Sequence, residues 1–120
     1  MEADTKAVVD KFNEAFGRGD VEAVMRLMTD DCVFEDTEPA PDGTRLVGQD
    51  DIKFYWQEMF KSGAPYFTAE ELFVAGDRAV LRWYYRWADD IPGQPGHVRG
   101  VDIFTVRDGK VSEKLSYVKG

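Results

Sequence analysis

Apolar residues change their spacing along the chain in a way that divides it into a helical half and a stranded half. Over Thr5 to Phe16, the side chains Val8, Val9, Phe12, Ala15 and Phe16 share one stripe, with Lys6, Asp10, Lys11 and Glu14 elsewhere. That spacing predicts an amphipathic helix. Gly17-Arg18-Gly19 ends it, as glycine does at helix C-termini. Asp20 is placed to cap a second, short helix with the apolar set Val21, Val24, Met25 and Met28, and the short link makes the two a hairpin. Thr29-Asp30-Asp31 breaks the pattern, and Cys32-Val33-Phe34-Glu35-Asp36 reads as a short strand. Residues 37–48, with Pro39, Pro41 and Asp42-Gly43, read as a loop. Asp50 is then the expected cap of a third helix carrying Ile52, Tyr55, Trp56, Met59 and Phe60. Ser62-Gly63 ends that helix and Pro65 keeps it ended.

From Tyr66 onward the period drops to two. Strands are predicted over Phe67 to Ala75, Ala79 to Ala88, His97 to Val106 and Val111 to Lys119. Gly76-Asp77 joins the first two, a Pro- and Gly-bearing loop over 89–96 the next, and Arg107-Asp108-Gly109 the last. Helices first and an antiparallel meander after is an α+β arrangement. The expected architecture is one domain, residues 1–120, in which a cone-shaped, curved antiparallel sheet wraps around three N-terminal helices and leaves an apolar cavity at its mouth.

The last hairpin admits two registers. A three-residue loop with a bulge at Gly109 sets Lys114 opposite Asp102 and Ser112 opposite Phe104, whereas a two-residue Asp-Gly turn sets Leu115 opposite Asp102. A slip of one residue turns every side chain to the other face. Arg107 at the first turn position and a left-handed Gly109 favour the longer loop; the alternation of Val111, Leu115 and Tyr117 does not. Both faces of this region carry apolar groups, Val101 and Ile103 on one and Phe104 and Val106 on the other. Helices can cover one face only, so a second copy of the chain is expected on the other, making a homodimer.

Composition narrows the chemistry. Fifteen Lys and Arg stand against 23 Asp and Glu, a formal net charge of −8. That balance argues against nucleic acid, whose phosphates require a basic face, and against anionic lipid. No apolar run approaches the roughly 18 residues of a membrane span. The start, Met1-Glu2-Ala3-Asp4, is acidic and without an apolar stretch, so no secretory signal is visible and a cytoplasmic location is expected. The chain has one Cys (Cys32) and one His (His97), which leaves no internal disulfide and no Cys/His zinc site. Neither metal nor organic cofactor is expected, and any chemistry falls to carboxylates, hydroxyls, lysines and ring faces.

The chain resembles the NTF2-like superfamily, specifically its SnoaL-like and ketosteroid-isomerase-like bacterial members. The resemblance rests on the helix ending Phe16-Gly17-Arg18-Gly19-Asp20, the run Met28 to Asp36, and Gly48 with the helix after it. Val74-Ala75-Gly76-Asp77-Arg78, Arg99 to Phe104 and Arg107 to Val111 complete it. It covers nearly the whole chain and is specific for the fold. For function it is not, because this fold hosts isomerases, cyclases, hydrolases, dehydratases and binding modules. The resemblance implies that Asp36 stands where the isomerases keep their general base. Asp102 stands where they keep a protonated acid of the oxyanion hole and cyclases an acid/base, and Tyr55 where they keep a supporting tyrosine. Two departures accompany it: Phe12 replaces the isomerases' oxyanion tyrosine, and Ser116 replaces the epoxide hydrolases' catalytic aspartate.

The residues themselves point to the same two acids. Asp36 alternates with Phe34, so it faces the core if Phe34 does, and a carboxylate in an apolar cavity is a competent base for a proton beside a carbonyl. The competing reading is a solvated strand end capping the turn at Thr37. Asp102 sits mid-strand on the face of Phe104 and Val106, where an acid must be paired, protonated or functional. The competing reading is a structural ion pair with Lys114 or Arg99. If Lys114 faces Asp102, the two titrate as a unit and form a base-plus-cation arrangement suited to an enolate or a carboxylate. Tyr55 is either a core aromatic or a donor to substrate.

Trp83, Tyr85 and Trp87 form a large aromatic face, either sheet core or a wall for a planar apolar ligand. Phe12, Phe16, Phe34, Trp56, Met59, Phe104 and Ser116 complete the expected lining. His97 reads as a rim residue, Cys32 as a small buried hydrophobe, and Asp89-Asp90 as solvated loop. The first functional expectation is an isomerase or cyclase using aspartate acid-base chemistry on a small hydrophobic carbonyl compound. The alternative is a non-catalytic module that binds a small apolar ligand, and a third is a structural dimerisation domain without a ligand-sized cavity.

Overall fold

A computed structural model describes residues 2–62 and 66–119; Met1, Gly63 and Pro65, named above, lie outside the described residues. Helix α1, Glu2–Gly17, buries Val9, Phe12, Ala15 and Phe16 of the expected stripe together with Thr5, with Val8 at the stripe's edge. Its C-terminus closes where Gly19 takes a left-handed φ of 68°, and the Asp20 carboxylate accepts a 3.1 Å bond from Ala23 N to cap α2, Val21–Arg26.

Strand β1, Met28–Glu35, begins earlier than the polar run Thr29-Asp30-Asp31 suggested. That run is an irregularity inside the strand: the pairing of β1 shifts between Met28 and Val33, and Asp30 and Asp31 are pushed into solvent. The segment 37–48 is not all loop. Arg45–Val47 forms β2, antiparallel to β1, with Val33 opposite Val47 and an Arg45–Glu35 ion pair of 2.7 Å. Three residues between turns are too few to show a period.

Helix α3, Gln49–Met59, is capped by Gly48 rather than by Asp50, which lies in its first turn. Gln49 immediately after the cap donates to the carbonyls of Met28 and Met25 at 3.0 and 3.2 Å and ties α3 to the start of β1. A short 3-10 turn, Phe60–Ser62, follows.

Strands β3 (Tyr66–Ala75), β4 (Arg78–Arg86), β5 (His97–Arg107) and β6 (Lys110–Val118) form the expected meander. The complete sheet has the order β2-β1-β6-β5-β4-β3, and β1 lies parallel to β6, so the sheet is mixed rather than wholly antiparallel. Bulges between Ala69 and Glu71 and between Thr105 and Val106 bend it, and α1 packs across its concave face. The helices lie in the first half of the chain, with α3 following two strands. Among the described residues no helix is long and apolar enough to cross a membrane.

The final hairpin follows neither register proposed above. Asp108 and Gly109 both adopt positive φ, 54° and 76°, and close a two-residue turn with Arg107 opposite Lys110. The bulge at Thr105/Val106 then adds one residue on β6, so Asp102 faces Ser116 and Phe104 faces Lys114. Because turn and bulge together restore the parity, Lys114 and Ser116 still share the concave face with Asp102.

Candidate active site

The concave face encloses a cavity of about 530 Å³ between α1, α3 and the sheet. Asp36 and Asp102 both line it, together with Lys114 and Ser116. Asp36 follows the last residue of β1 and is half-buried. One carboxylate oxygen accepts from Thr37 N at 2.7 Å, and the other accepts a short hydrogen bond from the Tyr55 hydroxyl on α3. Burial, followed by that bond to Asp36, pushes the Tyr55 phenol well above its ordinary value and keeps it a donor. The loop after Asp36 needs a glycine at 43: its φ is +77°, and a Cβ there would sit 1.8 Å from the Asp36 carbonyl oxygen.

Deeper in the cavity, Lys114 Nζ lies 3.3 Å from Asp102 Oδ2, with the two residues 5% and 4% exposed. The other Asp102 oxygen accepts from Trp83 Nε1 at 2.9 Å. Nζ donates to Ser116 Oγ at 3.3 Å and stands over the Phe16 and Phe34 rings at 4.9 and 4.8 Å. Carboxylate and ring faces together offset the cost of burying the ammonium. Trp83 reaches Asp102 because residue 100 has no side chain: a Cβ on Gly100 would lie 2.5 Å from the indole. This link was not anticipated from the sequence, although a glycine in the middle of a strand, beside a tryptophan, signals a close approach.

The remaining expected residues divide into lining and support. Phe16, Phe34, Met59, Trp83, Tyr85 and Trp87 line the cavity. Phe12, Trp56 and Phe104 do not; each is 0% exposed in the ring cluster beneath it, where Phe12 meets Phe104 at 5.5 Å and Trp56 at 6.0 Å. Their stripe positions look the same in the sequence whether they form wall or core. Tyr55 acts on the cavity through Asp36 rather than as lining.

The aromatic face is stepped, not flat: Tyr85 and Trp87 are tilted by 37°, and Trp87, at 55% exposure, stands at the mouth. Phe67 adds a ring 4.9 Å from Tyr85, and Thr37, Glu38 and Arg86 make the mouth polar; the sequence marked none of these as lining. His97 and Asp90 meet at 2.7 Å away from the cavity lining. Among the described residues no group of three or more His, Cys, Asp or Glu side chains converges as a metal site would.

The site is therefore an apolar chamber with a hydrogen-bonded carboxylate at its rim and a buried cation–carboxylate pair at its floor. A family model described as a SnoaL-like domain matches residues 9–114. Among solved structures, an NTF2-like protein of unknown function from Mesorhizobium loti is 39% identical, with 99% of this chain and 93% of that chain covered and a TM-score of 0.84. A protein described as a candidate polyketide cyclase from Sinorhizobium meliloti is 27% identical, with 92% and 93% covered and a TM-score of 0.71. One described as a candidate ketosteroid isomerase from Kribbella flavida shares the fold at 21% identity, with 99% and 80% covered and a TM-score of 0.82. No curated protein matches the sequence. With the six-stranded curved sheet, the helices on its concave side and a family match over most of its length, the chain belongs to the NTF2-like, SnoaL-like family.

Proposed function

We propose that this protein is an isomerase or cyclase that works without a cofactor on a small hydrophobic carbonyl compound. The observation that carries the reading is that Asp36 and the Lys114–Asp102 pair line one apolar cavity. Asp36 is the base. Its carboxylate is oriented by Tyr55 and Thr37 N, with lone pairs left for a substrate C–H. Asp102 differs from Asp36 in its partners: it is paired with the Lys114 ammonium as well as with Trp83, whereas Asp36 is held by two neutral donors, which fits Asp102 to hold Lys114 and leaves Asp36 to take the proton.

The proton beside the carbonyl passes to Asp36, and the C–H electron pair moves into the carbonyl to give an enolate. The ammonium of Lys114 and the Ser116 hydroxyl, which already accepts from Lys114, steady the enolate oxygen. Where a C=C adjoins the enolate, return of the proton to the far carbon of the dienolate shifts the double bond and is isomerisation. Attack of the enolate carbon on a second carbonyl of the same molecule, with the proton held by Asp36 passing to the new alkoxide, is cyclisation. Lys114 and Ser116 thus take the place of the oxyanion donor that Phe12, buried in the core, does not supply.

A thermal-shift screen of small uncharged ketones and enones identifies binders, and turnover of those binders tests the reading. Asp36→Asn is expected to bind the same compounds and to lose about 100-fold or more in kcat. Binding without turnover in the unaltered protein favours instead a passive ligand-binding module in the same cavity. The fully buried Phe12, where the isomerases place a tyrosine, is the feature that favours that second reading.

The working unit is a homodimer. On the convex face Phe73, Val80, Ile103 and Leu115 stand opposite one another across four strands, and Tyr117 pairs with Val101 beside them. The helices cover the concave face, so this apolar row fits a second copy of the chain.

A further inference from the structure

The buried pair at the cavity floor has a second exposure. A smaller slot of about 90 Å³ lies between α1 and the β3–β4 hairpin. Phe16, Phe67, Trp83, Asp102 and Lys114 line both this slot and the main cavity. Asn13, Gly17, Ala69 and Leu81 line the slot alone. Gly17 and Ala69 are exposed, which places the outer end of the slot at the surface, on the flank of the domain. The gap has a cause in the sequence. Ala69 stands opposite Trp83 beside the bulge of β3, and Gly17 is the last residue of α1, so two of the smallest residues flank the slot where larger side chains would close the wall.

A volume of that size accommodates about three waters at roughly 30 Å³ each. The slot also offers the polar partners buried water requires, since Asn13, Asp102 and Lys114 all line it. The main mouth, by contrast, is the route a ligand would occupy and seal.

We propose that this slot holds water against the Lys114–Asp102 pair and carries protons between the pair and bulk solvent independently of the main mouth. A proton leaving Nζ passes to a slot water and out past Asn13, and one returned from bulk replaces it, so the charge of the pair is restored. The pair then remains in proton equilibrium with solvent while the cavity is filled. Asn13 is a positioning residue in this scheme, not a catalytic one. The inference is independent of the proposed reaction and holds equally for a binding protein.

The three indoles provide the readout and its controls. The Trp83 N–H is bonded to Asp102 at the slot, the Trp56 N–H is fully buried with no hydrogen-bond partner among the described residues, and Trp87 is exposed. Exchange of the indole hydrogens into D₂O is followed by NMR on the whole protein, with Trp83→Phe identifying the Trp83 signal. Gly17→Leu and Ala69→Ile fill the slot from opposite sides; a Cβ at Gly17 meets nothing within 4 Å, and a branched residue suits a strand. Met59→Trp narrows the main mouth instead.

With the main mouth narrowed by Met59→Trp, adding either slot variant is expected to slow Trp83 exchange by about tenfold, while Met59→Trp alone alters it by less than about twofold. Slowing by Met59→Trp alone, with neither slot variant adding to it, would overturn the proposal. So would Trp83 exchange in the unaltered protein as slow as that of Trp56.

Discussion

Lys114 and Asp102 form an ion pair at 3.3 Å with each side chain only 6% exposed. A pair this buried contributes little net stability by existing, but removing one partner strands the other charge in the interior. Lys114→Met is therefore expected to cost about 3–5 kcal/mol in urea unfolding. Lys114→Met combined with Asp102→Asn is expected to cost clearly less than the two single changes added together, since neither variant residue carries charge. Strictly additive losses in this double-mutant cycle would mean that the two groups are not coupled.

Tyr55→Phe removes the hydroxyl that donates to Asp36 and is expected to cost about 1–2 kcal/mol at neutral pH, the site being only half-buried. The same substitution has a signature in alkali. Burial holds the Tyr55 phenol protonated above its ordinary value of 10.0, so the unfolded chain releases this proton first. The stability linked to Tyr55 is fully present below that pH and is lost as the pH rises toward the folded-state value. Unfolding midpoints measured above pH 10 are expected to fall less steeply in Tyr55→Phe than in the unaltered protein.

Much of the fold was legible because its signals are local. The stripe Val9, Phe12, Ala15 and Phe16, the cap at Asp20 and the alternation of Leu81, Trp83 and Tyr85 each follow from spacing alone. What escaped depends on single residues or on distant ones. The bulge at Thr105/Val106 adds one position that no hydrophobic pattern locates, and it alone decides whether Lys114 or Leu115 shares a face with Asp102. The pairing of β2 with β1 brings Arg45 to Glu35 and Val47 to Val33 across the 37–44 loop, a match that a three-residue run does not announce. In the site, the alternation of Phe34 with Asp36 pointed correctly inward. The anchoring of Asp102 by Trp83 instead depends on Gly100 in the neighbouring strand.

Cys32 is fully buried, and burial pushes its thiol up to about 11. At pH 8 it is protonated as well as inaccessible. A chromogenic disulfide reagent is expected to leave it untouched in the folded protein and to titrate one thiol per chain in denaturant. Stoichiometric labelling under native conditions at the reagent's intrinsic rate would show that β1 opens readily.

Tyr117 projects from the convex row proposed to meet a second copy. Sedimentation is expected to give twice the 13.6 kDa chain mass for the unaltered protein and the single-chain mass for Tyr117→Glu, with the circular dichroism of the fold retained. A monomer in both cases would remove the dimer from the proposed working unit.

Proton removal at carbon by Asp36, inside a cavity whose floor is held by Lys114, is tested most directly by hydrogen–deuterium exchange at the substrate carbon. A ketone or enone that raises the melting temperature is incubated with the protein in D₂O, and loss of its α-hydrogen signal is followed by NMR. Exchange well above the buffer rate, reduced by about 100-fold or more in Asp36→Asn with binding intact, is the expected result. Exchange at the buffer rate for every bound compound, or undiminished exchange in Asp36→Asn, would contradict it.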